Sequence, residues 1–256
     1  MKIYVCIKQV PDVNAPLQIK DGELIQDADR NILNAYDASA AEESLVLKEA
    51  HGGEIEVVLI GPEKAKETIR KALAMGADKA THILIDNDTA PDSYSFASTL
   101  AAFFNEKEYE YIFCGKQAQD TDAGLTGSML AEFLNLPYTT NAVGLNLEDN
   151  ILTVKRQGDG GQEIIELPSP ALVTCSNDMN EPRIPNLKGI MQSKRKPVET
   201  LSLTDLGVEI SDDQIKTRVL AFEEKPAREP GKKYEGEPDE IAREIAQLLD
   251  TKENVI

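Results

Sequence analysis

Short apolar runs alternate with helix-period segments through the first two thirds of the chain, and this alternation limits the fold more than any other feature. Near-continuous apolar runs suit strands buried on both faces, and parallel strands of that kind need crossover helices between them. Runs at 3–7, 55–60, 83–85 and 111–114 read as strands, and segments at 37–50, 63–74, 93–104 and 126–134 as helices. In the third helix Phe96, Leu100, Phe103 and Phe104 fall at i, i+4, i+7 and i+8, which is one helical face. His51-Gly52-Gly53 stops the first helix, and Gly61-Pro62 ends the second strand. Leu17 and Ile19 before Asp21-Gly22, with Leu24-Ile25 after it, signal a hairpin. Strand–helix repeats join by right-handed crossovers. The expected fold class is therefore α/β, a Rossmann-like, mostly parallel twisted sheet with flanking helices.

The pattern then changes. Segments at 143–147, 151–157 and 164–167 alternate with period two, and Asp149-Asn150 and Gly158-Asp159-Gly160-Gly161 supply turns between them. That reads as an antiparallel meander, followed by one more apolar strand at 171–175. Residues 180–197 are polar and turn-rich, with five basic and no acidic side chains from Arg183 to Lys196. Residues 201–256 hold 14 acidic and 8 basic side chains. Little there looks like core before Ile241, Ile245, Leu248 and Leu249, which share one face of a terminal helix. The expected division is an α/β domain over 1–200 and a C-terminal extension over 201–256. The extension's amphipathic helix either wraps a partner subunit or folds back on its own domain.

Charge narrows the function. A net charge of −18 argues against a nucleic-acid phosphate binder and against docking on an anionic membrane surface. No apolar run is long enough to span a bilayer. Cys6, Cys114 and Cys175 are far apart, none in CxxC, and His51 and His82 are equally separated, so neither a zinc site nor a disulfide framework is expected. Each cysteine falls in a strand, where it acts as a small hydrophobe. The opening residues read directly as a strand, without signal-peptide features, and a cytoplasmic location is expected. There is no GxSxG, and neither histidine has a triad partner nearby in sequence.

Ligands of open parallel sheets bind at the carboxyl ends of strands where the topology switches direction. Three loops qualify: Lys8-Gln9-Val10-Pro11-Asp12, Gly61-Pro62-Glu63, and the long loop from Gly115 to Gly127. The last contains Lys116, Gln117, Ala118, Gln119, Asp120, Thr121, Asp122, Ala123, Gly124, Leu125 and Thr126, and it opens a helix. Backbone N–H groups at such a helix start hold phosphate. The same loop also reads as an ordinary helix cap with Asp122 or Thr121 as N-cap. It matches neither GxGxxG nor GxxxxGK[ST]. Asn34-Ala35-Tyr36-Asp37 is either the cap and staple of the next helix or a ring donor beside a flat ligand.

Several stretches together resemble the beta subunit of electron transfer flavoprotein. They are Val5-Cys6-Ile7-Lys8-Gln9-Val10-Pro11-Asp12, Asn34-Ala35-Tyr36-Asp37 with Glu42-Glu43, and Ala72-Leu73-Ala74-Met75-Gly76-Ala77-Asp78. Gly115-Lys116-Gln117-Ala118 with Asp120 and Asp122 also matches, as do the glycine-rich hairpin leading to Pro170-Ala171-Leu172-Val173-Thr174, and Asn180-Glu181-Pro182-Arg183. The resemblance implies a heterodimer with an alpha subunit that holds most of the redox FAD. It implies electrons taken from acyl-CoA-type dehydrogenases of fatty-acid β-oxidation and passed to a quinone reductase or another acceptor. The beta subunit is then an electron-carrier subunit rather than a catalyst.

Carried over by position, the resemblance assigns AMP contacts to Cys6, Asn34, Ala35, Tyr36, Asp37, Ile60, and every residue from Gly115 to Thr126. Cys6 and Ile60 would act through backbone, and the phosphate would lie on amides between Asp120 and Thr126. Residues 10–13 and Tyr36 would approach the flavin edge. Arg183, Leu187, Ile190 and Met191 would belong to a recognition loop, with Leu187 as the apolar anchor on the dehydrogenase, the other reading being that Leu187 tucks into its own domain. The stretch Asp120-Thr121-Asp122-Ala123-Gly124-Leu125-Thr126-Gly127 lacks the Gln of the AMP-holding pattern but keeps its Thr. Thr121 and Ser128 stand where the bifurcating branch, with a second FAD in place of AMP, has Gly and Pro. The reading from the residues alone also leaves open a stand-alone adenine-nucleotide-binding protein of universal-stress type.

Overall fold

The computed structural model describes residues 1–16, 18–25, 30–86, 91–211, 215–228 and 230–252, so Leu17 of the hairpin signal lies outside the described residues. The chain forms two compact units, Met1–Ala221 and Phe222–Ile256. The first opens with β1 (Lys2–Ile7), β2 (Gln9–Pro11), β3 (Gln18–Lys20), β4 (Glu23–Ile25) and β5 (Asn31–Leu33). Then come α1 (Ala35–His51), β6 (Glu54–Gly61), α2 (Lys66–Met75), β7 (Lys79–Leu84), α3 (Ser93–Phe104), β8 (Tyr111–Gly115) and α4 (Thr126–Leu134). Next follow β9 (Tyr138–Glu148), β10 (Ile151–Gly158), β11 (Gly161–Pro168), β12 (Ala171–Cys175), α5 (Leu187–Ser193) and β13 (Val198–Ser202). The second unit holds α6 (Pro238–Thr251), none of whose residues is buried.

One nine-stranded sheet runs β11-β10-β9-β12-β8-β1-β6-β7-β13. From β9 to β13 every neighbouring pair is parallel, while β10 and β11 extend the sheet as antiparallel strands. The fold class is thus the expected one. The chain builds from β1 through β6 to β7, then returns to place β8 on the other side of β1. The β1–β8 boundary is therefore the topological switch point, and a crevice opens at its carboxyl end.

Side-chain alternation divides β1 between two cores. Ile3, Val5 and Ile7 join Leu45 of α1 and Ile69 and Leu73 of α2. Tyr4 and Cys6 face the other side with Leu100, Phe103 and Phe104 of α3 and Leu130 of α4. Tyr4 meets Phe103 and Phe104 edge-on, with centroids 5.9 and 5.1 Å away. Asp21 and Gly22 both take positive φ between β3 and β4, the geometry of a two-residue hairpin turn.

Three features depart from the sequence reading. The meander is part of the main sheet, because β9 pairs in parallel with β12. The polar 180–197 stretch contains α5, whose seven residues include Gly189 and are too few to show a period. The third is β13, an edge strand with only one neighbour. Leu201, Leu203, Leu206 and Ile210 are half-buried against the second core, so apolar packing beyond residue 200 begins well before Ile241.

Asp92 couples α3 to the segment beyond β13. Its Oδ1 accepts the Ser95 N–H and hydroxyl, both at 2.9 Å, as the N-cap of α3. Its Oδ2 accepts the N–H groups of Lys216 and Thr217 at 2.7 and 2.8 Å. We predict that Asp92→Ala lowers stability to urea by about 1 kcal/mol, the usual worth of a cap. Limited proteolysis should also cut the 215–221 segment faster, and an unchanged cleavage rate would deny Asp92 the tether.

Candidate functional site

The switch-point cleft is built around α1. Asn34 occupies the N-cap position of α1, yet its side chain makes no cap bond. Its Nδ2 instead donates to the Gln117 carbonyl at 2.8 Å, and its Oδ1 accepts the Gln119 N–H at 3.1 Å. Gln119 Oε1 accepts the Ala35 N–H at 3.0 Å, so the long loop caps α1 in return. One turn along, the buried Asp37 accepts the Lys8 N–H at 2.7 Å and the Gly115 N–H at 3.0 Å. The carboxylate thereby joins the ends of β1 and β8 to α1. Gly115 has no alternative residue here, because a Cβ would lie 2.2 Å from Asp37 Oδ1. Burial pushes the Asp37 carboxyl up to about 7, against the opposing pull of its hydrogen bonds from Lys8, Asn34 and Gly115.

The loop folds on itself before α4. Lys116 N–H donates to the Cys175 carbonyl at 2.8 Å, and Ala118 N–H to the Ala123 carbonyl at 3.0 Å. Asp122 takes a positive φ of 52° and accepts from Gln117 Nε2 at 2.9 Å. Neither Asp122 nor Thr121 caps α4. The N-cap position belongs to Leu125, whose side chain cannot accept, and the first intrahelical bond runs from Met129 N–H to the Leu125 carbonyl. Thr126, Gly127 and Ser128 therefore open the helix with N–H groups that have no acceptor within it. Gly127 packs so closely that a Cβ would lie 2.5 Å from Thr174 Cγ2. Lys8 Nζ reaches across to both Asp120 carboxylate oxygens, at 2.8 and 2.7 Å.

The cleft brings together Cys6, Asn34, Asp37, Ile60, Gly115, Lys116, Gln117, Ala118, Ala123, Gly124 and Thr126 of the expected residues. Ala35, Tyr36, Gln119, Asp120, Thr121, Asp122 and Leu125 sit in the flanking turns and do not line it. The sequence reading missed Ile7, Val58, Phe96, Leu100 and Cys114, while Lys8 and Gly127 stood in its candidate loops but not among its assigned contacts. One of the missed residues had a signal, because Val58 shares a strand face with Ile60; the register of Cys114 with Cys6 is a property of the fold. Contact with Cys114, then burial, pushes the Cys6 thiol up, and burial does the same to Cys175. Of the 10–13 stretch, the Val10 side chain is fully buried and Val13 is exposed. His82 is buried in β7 with Nε2 2.9 Å from the Gly61 carbonyl, and His51 ends α1, so neither enters the cleft. Among the described residues no cluster of metal-ligating side chains occurs, and no helix is long and apolar enough to cross a membrane.

A second surface forms around α5. Arg183 sits between Glu42 and Glu49 of α1, with Nε 2.8 Å from Glu42 Oε2 and Nη1 2.6 Å from Glu49 Oε1. Its guanidinium is thus spent within the chain. Gly189 lets α5 approach α2, since a Cβ would lie 2.4 Å from the Ala74 carbonyl oxygen. Lys196 Nζ donates to the carbonyls of Leu73 and Ala77 at the end of α2. These contacts leave Leu187 75% exposed, Met191 64% and Ile190 45%, with Ile184 beside them at 91%.

A raised carboxyl gives a signed pH dependence. The folded chain holds the Asp37 proton at pH values where the unfolded chain has lost it. The stability Asp37 contributes is therefore complete below about pH 4 and declines as pH rises through about 7. We expect the stability difference between the wild type and Asp37→Asn to shift by a few kcal/mol between pH 4 and 8, measured by urea unfolding. A difference that stays flat would show that the hydrogen bonds cancel the burial.

Comparison with known proteins agrees with this architecture. The family model described as the electron transfer flavoprotein domain matches residues 22–206. The electron transfer flavoprotein subunit beta of Bacillus subtilis is 37% identical over 257 residues, with all of both chains covered. The mouse subunit of the same name is 36% identical over 248 residues, covering 95% of this chain and 96% of the relative. A caffeyl-CoA reductase-Etf complex subunit of Acetobacterium woodii is 37% identical over 212 residues, covering 81% of this chain and 80% of the relative. The chain therefore belongs to the electron transfer flavoprotein family, among its beta subunits.

Proposed function

We propose that this chain pairs with an alpha subunit in a cytoplasmic heterodimer and serves as the scaffold of its electron carrier, with AMP in the switch-point cleft. The observation that carries the reading is the α4 start. Its first N–H groups lack helix acceptors, it has no side-chain cap, and the loop that leads into it lines the cleft through Gly124 and Thr126. Those amides and the Thr126 hydroxyl suit a phosphate. Phe96, Leu100, Val58 and Ile60 form an apolar wall suited to a flat base. The remaining residue types fit holding a nucleotide rather than transforming it.

FAD, held mainly by the alpha subunit, supplies the electron-transfer chemistry when bound. Val13 and Tyr36 face the flavin side. Leu187, Ile190 and Met191 form an exposed apolar anchor at helical spacing, flanked by Lys188, Lys194 and Arg195. That anchor receives an acyl-CoA-type dehydrogenase, and electrons leave to a quinone reductase or another acceptor. Arg183 shapes this loop through its contacts with α1. The second unit, with Ile241, Ile245 and Leu248 along α6, docks on the alpha subunit.

A second reading places a second FAD in the cleft, with bifurcation from NADH. It draws on the missing Gln of the AMP pattern, while Thr121, a side chain at the position of that branch's Gly, favours AMP.

Cofactor extraction from the purified heterodimer decides between them. We expect one FAD and one AMP per complex, whereas two FAD would establish the bifurcating form and no adenine compound beyond one FAD would refute both. Thr126→Val should weaken AMP retention by about 1.5 kcal/mol, roughly tenfold, as one hydrogen bond to a charged group is lost. Leu187→Ala should slow reduction by the donor dehydrogenase severalfold with flavin content intact. An unchanged rate would remove α5 from the docking surface.

A further inference from the structure

The mouth of the cleft carries one charged contact that the proposed function does not use. Lys8 leaves the end of β1, and its ammonium meets both oxygens of Asp120 across the switch point. The two side chains are 28% and 18% exposed, so solvent screens the pair only in part. The ammonium also lies 5.7 Å from the Phe96 ring centroid, against the apolar wall of the cleft. Asp120 belongs to the loop whose far end opens α4. The other carboxylates nearby are otherwise engaged, Asp122 with Gln117 and Asp37 with two main-chain amides.

An anion held by the first amides of α4 shares that loop with the Asp120 carboxylate. Like charges on one loop at a partly screened site repel. Left unpaired, Asp120 would oppose the ligand that the amides attract. We infer that Lys8 is a positioning residue for the anionic ligand. Held against Asp120, it cancels that charge, so the loop offers its amides to phosphate without opposition. This inference rests on the adenylate reading of the cleft. It is separable from a purely mechanical role, because a pair that only pins the loop would weaken binding alike when broken from either side. Cancellation of charge instead gives the two breaks opposite signs.

The test is calorimetric titration of the nucleotide-stripped heterodimer with AMP and with adenosine, at low and high salt. The wild type is compared with Lys8→Met, Asp120→Asn and the double variant. Lys8→Met should weaken AMP about tenfold, and this deficit should shrink as salt rises. Asp120→Asn should leave AMP as tight as in the wild type or tighter. The double variant should return to within about threefold of the wild type. Adenosine, which has no phosphate, should bind all four alike. Equal weakening by both single variants without recovery in the double would overturn the inference, as would an adenosine loss matching the AMP loss. A wild type that binds neither compound would refute the adenylate reading itself. Tight wild-type AMP binding with the wrong order of variants would sink only the charge-cancelling role of Lys8.

Discussion

One buried carboxylate holds the switch point together. Where β1 and β8 end and the chain leaves in different directions, their last amides lose the neighbours a sheet would give them, and a buried N–H needs a partner. Asp37 accepts from Lys8 and Gly115 at once. That choice sets much of what surrounds it. Gly115 must lack a side chain, because the carboxylate fills the space a Cβ would need. Asn34, one turn earlier, is then placed to bind Gln117 and Gln119, and Gln119 to satisfy the free Ala35 amide. The long loop, the two strands and α1 form one hydrogen-bonded unit. Groups so connected hold their geometry better than isolated pairs do.

A chain with a net charge of −18 is a poor host for an anion by its overall field. Any anion site on it has to be made locally. In and beside the cleft the carboxylates are occupied, Asp37 with amides, Asp122 with Gln117 and Asp120 with Lys8, which is what the proposed anion site would require. Basic side chains would serve the same end, but among the described residues Lys8 and Lys116 are the only lysines or arginines lining the cleft.

The sheet was legible because its central strands are buried on both faces, and their apolar runs admit few other readings. α3 was equally plain, since four aromatic or aliphatic residues at helical spacing mark its inner face. What that spacing could not show is that Phe96 and Leu100 border the cleft while Phe103 and Phe104 fill the core. A hydrophobic stripe looks the same along its length, and only the sheet's edge decides which end is lined with ligand space. Lys8 stood in a candidate loop, but its pairing was hidden for a related reason, because Asp120 lies 112 positions away in sequence. α5 and β13 escaped because one is two turns long with a glycine inside it, and the other borrows its stability from β7.

α1 joins the two surfaces. It is 17 residues long, about 25 Å at 1.5 Å per residue. Its first turn is fixed at the cleft by Asp37. Further along, Asn180 Nδ2 binds the Ser39 carbonyl and Glu43, and Arg183 binds Glu42 and Glu49. The segment leading to α5 is therefore anchored on the same rigid rod that frames the cleft, while Gly189 and Lys196 seat α5 on α2. Held in this way, α5 keeps its exposed apolar face at a set distance from the cleft. Under the function proposed above, that distance would set how near a partner docked on α5 brings its redox centre to the carrier's. Arg183 and Asn180, bound to α1, thus fix the spacing between the cleft and the exposed face of α5.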